Sequence, residues 1–155
     1  MPNDTYFHLR EFKLSDLPQI LRLEKALFGP DAYSKETILN GYKRADKGFI
    51  VAESDRKILG YVTGFVERRR SFIDNLAVAK KFQRRGLGQT LLNTIIKHFV
   101  QNGLKKIELV VKIDNFAAMQ FYQKNGFTQI KRIKKVYADG SDGLLMQSKI
   151  NESHS

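Results

Sequence analysis

The chain has 155 residues, 42% of them hydrophobic, with 11 Phe and 6 Tyr, which is enough to bury a sizeable core without metals or cross-links. It contains no cysteine, which excludes disulfides, thiolate metal sites and a cysteine nucleophile, and agrees with a reducing compartment. The formal charge of +11 is uneven: 13 basic and 11 acidic groups fall in residues 1–74, against 14 and 5 in residues 75–155. Such a surface attracts polyanions, whether nucleic acid, an anionic cofactor or an acidic protein, although lysines scattered on solvated faces are the commoner source of such charge.

The start "MPNDTYFHLR" lacks the apolar stretch of a signal peptide, and no apolar run reaches membrane-spanning length, so a soluble cytoplasmic protein without a membrane partner is expected. "TYFHLREF" alternates like a strand. Ser15 then offers an N-cap to "DLPQILRLEKALF", where Leu17, Ile20, Leu21, Leu23 and Leu27 suit one helical face. Gly29-Pro30 ends that helix, and Ser34 caps a shorter one, "KETILNGY". "FIVAE", the polar turn "SDRK" and "ILGYVTGFVE" read as a hairpin, "RRR" at 68–70 as a turn, and "SFIDNLAV" as a further strand. From about Leu87, apolar residues at helical spacing run through Val100 to a stop at Gly103. "KIELVVK" is a β-branched strand, "DNFAAMQFYQKNG" a helix with Asp114 at its start, and "FTQIKRIKKVY" with "GLLMQSKI" a closing hairpin. The tail 151–155, "NESHS", is expected to be disordered. With no linker or repeat, residues 1–150 read as one domain of order β-α-α-β-β-β-α-β-α-β-β, a mixed α/β fold whose sheet is covered by helices.

The stretch "FQRRGLGQTLL" places glycines 86 and 88 at the mouth of a helix, so backbone N–H groups can converge on one concavity. The helix dipole favours an anion there, and Gln83, Arg84 and Arg85 line the approach, which suits a pyrophosphate. A P-loop would need Gly-Lys-Ser or Gly-Lys-Thr, and a dinucleotide fingerprint a third glycine; both are missing. An ordinary strand-to-helix turn with solvated arginines is the alternative.

"DNLAVAKKFQRRGLGQTLL" resembles the acyl-CoA-binding motif of the GNAT superfamily of N-acetyltransferases, in which Gln/Arg-x-x-Gly-x-Gly/Ala follows a strand and opens a helix. "DNFAAMQFYQKNGF" resembles the same superfamily's later helix at Asn115, Ala118, Tyr122, Gly126 and Phe127. The resemblance covers nearly the whole chain. "LREFKLSDLPQILRLEKALF" and "YADGSDGLLM" are most similar to the branch that acetylates protein N-termini, including ribosomal-protein alanine acetyltransferases. It implies a single mixed, mostly antiparallel sheet flanked by about four helices, with splayed central strands that hold the cofactor.

The resemblance further implies that the backbone of Leu76, Ala77 and Val78 pairs with the pantetheine arm of acetyl-CoA. The pyrophosphate would lie on Arg84, Arg85, Gly86, Leu87, Gly88 and Gln89. Asn115 would contact the pantetheine or acyl region, and Tyr122 lies about two helical turns further along the same face. A neutral primary amine would then attack the thioester directly, with Tyr122 protonating the thiolate and a backbone N–H of strand 72–78 stabilising the oxyanion. A core tyrosine and a helix-start asparagine bonding local backbone are the plainer alternatives.

The general base is less legible. The N-terminal acetylating branch commonly has a glutamate five residues before the motif asparagine, and here that place is Val110. Glu108, two residues earlier on the same strand face and about 7 Å away by strand rise, is the candidate, acting through water or else pairing with Lys105 or Lys106. Glu67 and Asp74 are candidates on position alone, and His8, His98 and His154 form no constellation. By resemblance, Phe28, Tyr33 and Tyr137 line an acceptor groove, where Asp31, Asp139 and Asp142 could hold an ammonium or basic side chain; the alternative is that Phe28 is core and the aspartates make turns. The expected function is acetyl-CoA-dependent acetylation of a primary amine, of a protein or peptide first, of a small molecule second. A silent acyl-CoA-binding or nucleic-acid-binding module is the third reading.

Overall fold

The computed structural model describes residues 6–149, and they form two compact units, the first from residues up to Phe65 with Asp74–Ile95, the second from Val66–Ile73 with residues from Ile96 onward. The tail 151–155 lies outside the described residues.

The first unit begins with β1 (His8–Glu11) and α1 (Leu17–Phe28). A short 3-10 turn, Leu14–Asp16, separates them, so Ser15 sits in this turn and Asp16, not Ser15, stands at the cap of α1. The Asp16 carboxylate is already claimed, by the Lys13 N–H at 2.8 Å and by both terminal nitrogens of Arg10, each at 2.8 Å. Gly29 ends α1 as its spacing suggests, and Ser34 Oγ accepts the Thr37 N–H at 3.2 Å to cap α2 (Lys35–Ala45). β2 (Phe49–Ser54) and β3 (Lys57–Glu67) form the expected hairpin around Asp55 and Arg56, both at positive φ. Phe12 stacks on Phe49 with ring centroids 4.1 Å apart, and Ile20, Leu23, Ile38, Val51 and Tyr61 complete a buried cluster with them. Of the α1 positions that helical spacing marks as one face, Ile20 and Leu23 lie in this cluster, while Leu17, Leu21 and Leu27 pack partly buried against it. Gly60 lets β3 pass its neighbour closely, since a Cβ there would stand 2.7 Å from the Ala77 carbonyl oxygen.

β4 (Arg70–Val78) begins in the second unit and ends in the first, and α3 (Leu87–Gln101) runs the opposite way between the same two. The second unit adds β5 (Lys106–Lys112), α4 (Phe116–Lys124), β6 (Thr128–Ile133) and β7 (Gly143–Lys149). The seven strands form one sheet in the order β1-β2-β3-β4-β5-β7-β6. β4 and β5 run parallel, registered at Ser71↔Ile107 and Phe72↔Glu108, whereas β5 and β7 pair antiparallel at every position from Lys106↔Lys149 to Lys112↔Gly143. With four α-helices among the described residues, this is the mixed, mostly antiparallel α/β architecture that the sequence implies. No helix among the described residues is long and apolar enough to cross a membrane.

Candidate active site

The strand, loop and helix of residues 75–92 fold as their spacing requires. Ala77 and Val78 are buried at the end of β4, and the Ala79 N–H donates to the Leu59 carbonyl at 2.8 Å, which fixes where the strand stops. Gln83 then turns back, its Nε2 donating to the Val78 carbonyl at 3.0 Å, so this side chain braces the strand end. Arg84 and Gly86 both hold positive φ, 62° and 84°, which makes two sharp reversals in three residues. Gly86 tolerates its conformation because it has no Cβ, and a Cβ there would meet no heavy atom within 4 Å. The first helical bond runs from the Thr90 N–H to the Gly86 carbonyl at 3.0 Å, so the N–H groups of Leu87 and Gly88 precede the ladder of α3. Open space in front, free-turn amides, the positive end of α3 and Arg84 and Arg85 fit a pyrophosphate. Arg85 also spans the Phe82 ring, 5.8 Å from its centroid.

In the second unit, Asn115 rather than Asp114 caps α4: its Oδ1 accepts the Ala118 N–H at 3.1 Å, leaving the amide nitrogen to face outward from this cap. Tyr122 is 7% exposed and packs edge-on against Phe127, centroids 5.5 Å apart. Its hydroxyl makes no hydrogen bond to any described residue, and burial alone pushes its pKa well above the ordinary phenol value. A buried tyrosine normally spends its hydroxyl on a protein partner. Here the hydroxyl has no protein partner and is not sealed from solvent, since among the described residues the fully buried side-chain N or O atom without a partner is Arg10 Nε.

Glu108 is engaged differently from the expectation of a water-linked base. It is buried, 5% exposed, and its Oε1 accepts from Arg70 Nε at 3.0 Å and from Arg70 Nη2. It borders a cavity of about 580 Å³ whose other walls include Arg69, Lys105 and Lys106. Val110 is 40% exposed. Of the positional candidates, Glu67 is exposed at the end of β3, and Asp74 receives Arg44 Nη2 at 3.3 Å and the Tyr33 hydroxyl at about the limit of a hydrogen bond, 3.5 Å. His8 pairs with Glu53, His98 lies on α3 beside Phe99, and His154 is outside the described residues. No group of three or more His, Asp or Glu among the described residues could hold a metal.

The residues expected to face the acceptor are held as follows. Phe28 and Tyr33 are partly buried against the first unit's core, so Phe28 packs as a core-edge residue. In the second unit Tyr137 lies against Gly143 and has Lys112 Nζ 5.7 Å from its ring centroid. Asp139 pairs with Lys112 at 2.9 Å, and Asp142 accepts the Lys135 N–H at 3.0 Å as well as Arg132, so both serve the turn between β6 and β7.

Sequence reasoning missed Glu24. It lies on the inner face of α1, 1% exposed, where it accepts from Tyr61, Asn75 and the backbone of Tyr33. Burial raises its pKa, against the pull of those three donors. The available signal was an acid four residues after Ile20 inside an otherwise apolar stripe.

The family model described as the acetyltransferase (GNAT) family matches residues 14–127. An uncharacterised N-acetyltransferase of Methanocaldococcus jannaschii is 31% identical over 142 residues, covering 91% of this chain and 90% of that protein. An N-alpha-acetyltransferase of Saccharolobus solfataricus is 28% identical over 153 residues, covering 90% and 91%. The crystal structure of Ard1 from Thermoplasma volcanium superposes with a TM-score of 0.88 over 94% of this chain and 99% of that one, at 24% identity. By the family model over residues 14–127 and by these relatives, this chain belongs to the GNAT family and is an N-acetyltransferase that uses acetyl-CoA.

Proposed function

We propose that the chain acetylates the α-amine of a protein or peptide, with Tyr122 as the general acid. The observation that carries the reading is the buried Tyr122 ring whose hydroxyl no described residue engages. Similarity along nine-tenths of the chain to a protein named N-alpha-acetyltransferase supports the choice of acceptor.

Bound acetyl-CoA supplies an activated acetyl group that passes to a neutral amine with the thiolate as leaving group. Leu87 and Gly88 offer backbone N–H groups to its phosphates, Arg84, Arg85 and Gln89 flank them, and Gln83 keeps the end of β4 in place. Leu76, Ala77 and Val78 present strand backbone to the pantetheine, and Asn115, its carbonyl committed to the cap, offers an amide nitrogen. Tyr122 Oη carries the proton for the departing sulfur, and its raised pKa keeps that proton in place throughout the working range. Glu108 would have to release Arg70 before taking a proton. An α-amine with a pKa near 8 is partly neutral on arrival and can lose its second proton to water, so a strong base is dispensable. Phe28, Tyr33 and Tyr137 are the proposed acceptor contacts.

The test is thiol release from acetyl-CoA with a panel of short peptides beside polyamines and free amino acids. Turnover with peptides bearing a free N-terminus, lost when that terminus is blocked, is expected; turnover with compact amines alone would replace the peptide reading by a small-molecule one.

A further inference from the structure

Glu24, Tyr61, Asn75 and the backbone of Tyr33 form a closed hydrogen-bonded set inside the first unit. Glu24 Oε1 accepts the Tyr33 N–H at 2.9 Å. Glu24 Oε2 accepts the Tyr61 hydroxyl at 2.6 Å and Asn75 Nδ2 at 2.9 Å. Asn75 Nδ2 donates again, to Tyr61 Oη at 2.7 Å, and Asn75 Oδ1 accepts the N–H of Leu76 at 3.0 Å.

The phenol has a single proton, directed at Glu24, and the Asn75 amide nitrogen lies within donating distance of both Glu24 Oε2 and the phenol oxygen. The asparagine therefore has one amide orientation, which aims its carbonyl at the Leu76 N–H. Reversing the amide would set its carbonyl against the carboxylate, acceptor against acceptor, and its nitrogen against the Leu76 N–H, donor against donor. The set turns on an acceptor-only group at position 24.

Stability alone is a poor reason for that group. A carboxylate 1% exposed, with no cation among its contacts, is costly to bury, and a leucine would continue the apolar stripe of α1. What the carboxylate does is join two segments. Tyr33 lies on the stretch between α1 and α2, where the acceptor is proposed to bind, and Asn75 immediately precedes the strand backbone offered to the pantetheine.

We infer that Glu24 is a positioning residue for acetyl transfer: through Asn75 it fixes the peptide unit at Leu76, and through the Tyr33 N–H it fixes the acceptor segment against the same strand. The inference rests on the assignment of these two segments to cofactor and acceptor. Glu24 acts through its partners, because both of its oxygens are occupied by protein donors and neither faces solvent.

The test is a polarity swap in the full chain. In Glu24→Gln, the new amide nitrogen confronts Asn75 Nδ2, donor against donor. The double variant Glu24→Gln with Asn75→Asp reverses the polarity of both positions together. The amide introduced at position 24 then donates to the carboxylate introduced at position 75 and to the Tyr61 oxygen, while its carbonyl still accepts the Tyr33 N–H. That carboxylate accepts the Tyr61 hydroxyl and keeps the bond from the Leu76 N–H. We expect Glu24→Gln to lower kcat/KM for the amine by about 10- to 100-fold, the scale of one buried unsatisfied donor. The double variant should regain kcat/KM to within about threefold of wild type. Wild-type kcat/KM in Glu24→Gln, measured well below its Tm, would overturn the proposal and leave Glu24 a fold residue. Restored Tm without restored turnover in the double variant would also overturn it, because the charge at position 24 would then act directly. If Glu24→Gln does not fold, Tyr61→Phe removes the hydroxyl that donates to Glu24 and accepts from Asn75, leaving Glu24 its bonds from Asn75 and the Tyr33 N–H, and the same loss of kcat/KM is expected; wild-type kinetics there would overturn the idea. All variants are compared on whichever amine the wild type acetylates best, so failure of the peptide reading shows in the wild type and failure of this proposal shows in the variants.

Discussion

Arg70 Nε donates to Glu108 Oε1 at 3.0 Å, and its Nη2 reaches the same oxygen, so the acid two residues before Val110 is already tied to a guanidinium. The pair stands where β4 and β5 are registered, Phe72 opposite Glu108, and it borders a cavity walled by further cations.

A structural role for this pair predicts that Glu108→Gln retains kcat within about threefold of wild type in a substrate-saturated thiol-release assay. Removing a general base costs about 10²–10⁴-fold, so the two roles separate cleanly. The same substitution should lower stability by about 1–2 kcal/mol in chemical denaturation, since a charge-assisted bond becomes a neutral one. A collapse of kcat at unchanged fold would return Glu108 to the chemistry.

For Tyr122 the expected outcome is the reverse. Tyr122→Phe keeps the ring and its contact with Phe127, so acetyl-CoA affinity should hold while turnover falls by about 10²–10⁴-fold. Because burial raises the phenol's pKa, the wild-type kcat profile should show no loss of activity assignable to Tyr122 on the alkaline side up to about pH 10, the ordinary phenol value. Unaltered turnover in Tyr122→Phe would leave the residue a packing element.

The loop is probed best at Gly88, which lies within the first turn of α3 and is not held at positive φ. Valine there should leave a folded protein by circular dichroism and weaken acetyl-CoA binding by about 100-fold or more, about 3 kcal/mol, by blocking backbone approach. Gly86→Ala should instead cost about 1 kcal/mol of stability, because alanine must adopt φ near 84°. Wild-type calorimetry for Gly88→Val would refute the phosphate loop.

A fourth prediction concerns stability against pH. Burial would raise the Asp16 pKa, but the bonds from Arg10 and the Lys13 N–H outweigh it and hold the carboxyl below its ordinary value of 3.8. A depressed folded-state pKa means that this stabilisation is complete above the unfolded value and fades as pH falls through the folded one. Asp16→Asn should therefore cost about 2–3 kcal/mol at pH 7 by denaturant unfolding, with the gap to wild type closing below about pH 4. A gap independent of pH would mean that shape, not charge, matters at this site.

Much of the fold was legible because it is written in local spacing. The alternation in "KIELVVK", the apolar stripe from Leu87 to Val100 and the Gly86 reversal each depend on neighbours within a few residues, and each fixes an element and its inner face. The boundaries that slipped did so where two polar residues compete for one cap: Asp16 is drawn to Arg10, and Asn115 takes the cap that Asp114 also offered. The loop and the Tyr122 helix were legible for the same reason, since glycines at a helix mouth and a tyrosine two turns below a capping asparagine are short-range patterns.

By itself, then, the sequence determined the order of elements, the glycine turn at the mouth of α3 and the helix that carries the buried tyrosine. Only the tertiary structure decided which polar groups are spent and which are free. Glu108 meets Arg70 from a strand 38 positions away, and Glu24 meets Asn75 across 51. No spacing rule reaches that far, because a side chain's hydrogen-bond partner is set by where distant segments pack, and packing is the sum of many weak contacts rather than a local pattern. The hydroxyl of Tyr122 is available, and the carboxylate of Glu24 is not, for that reason.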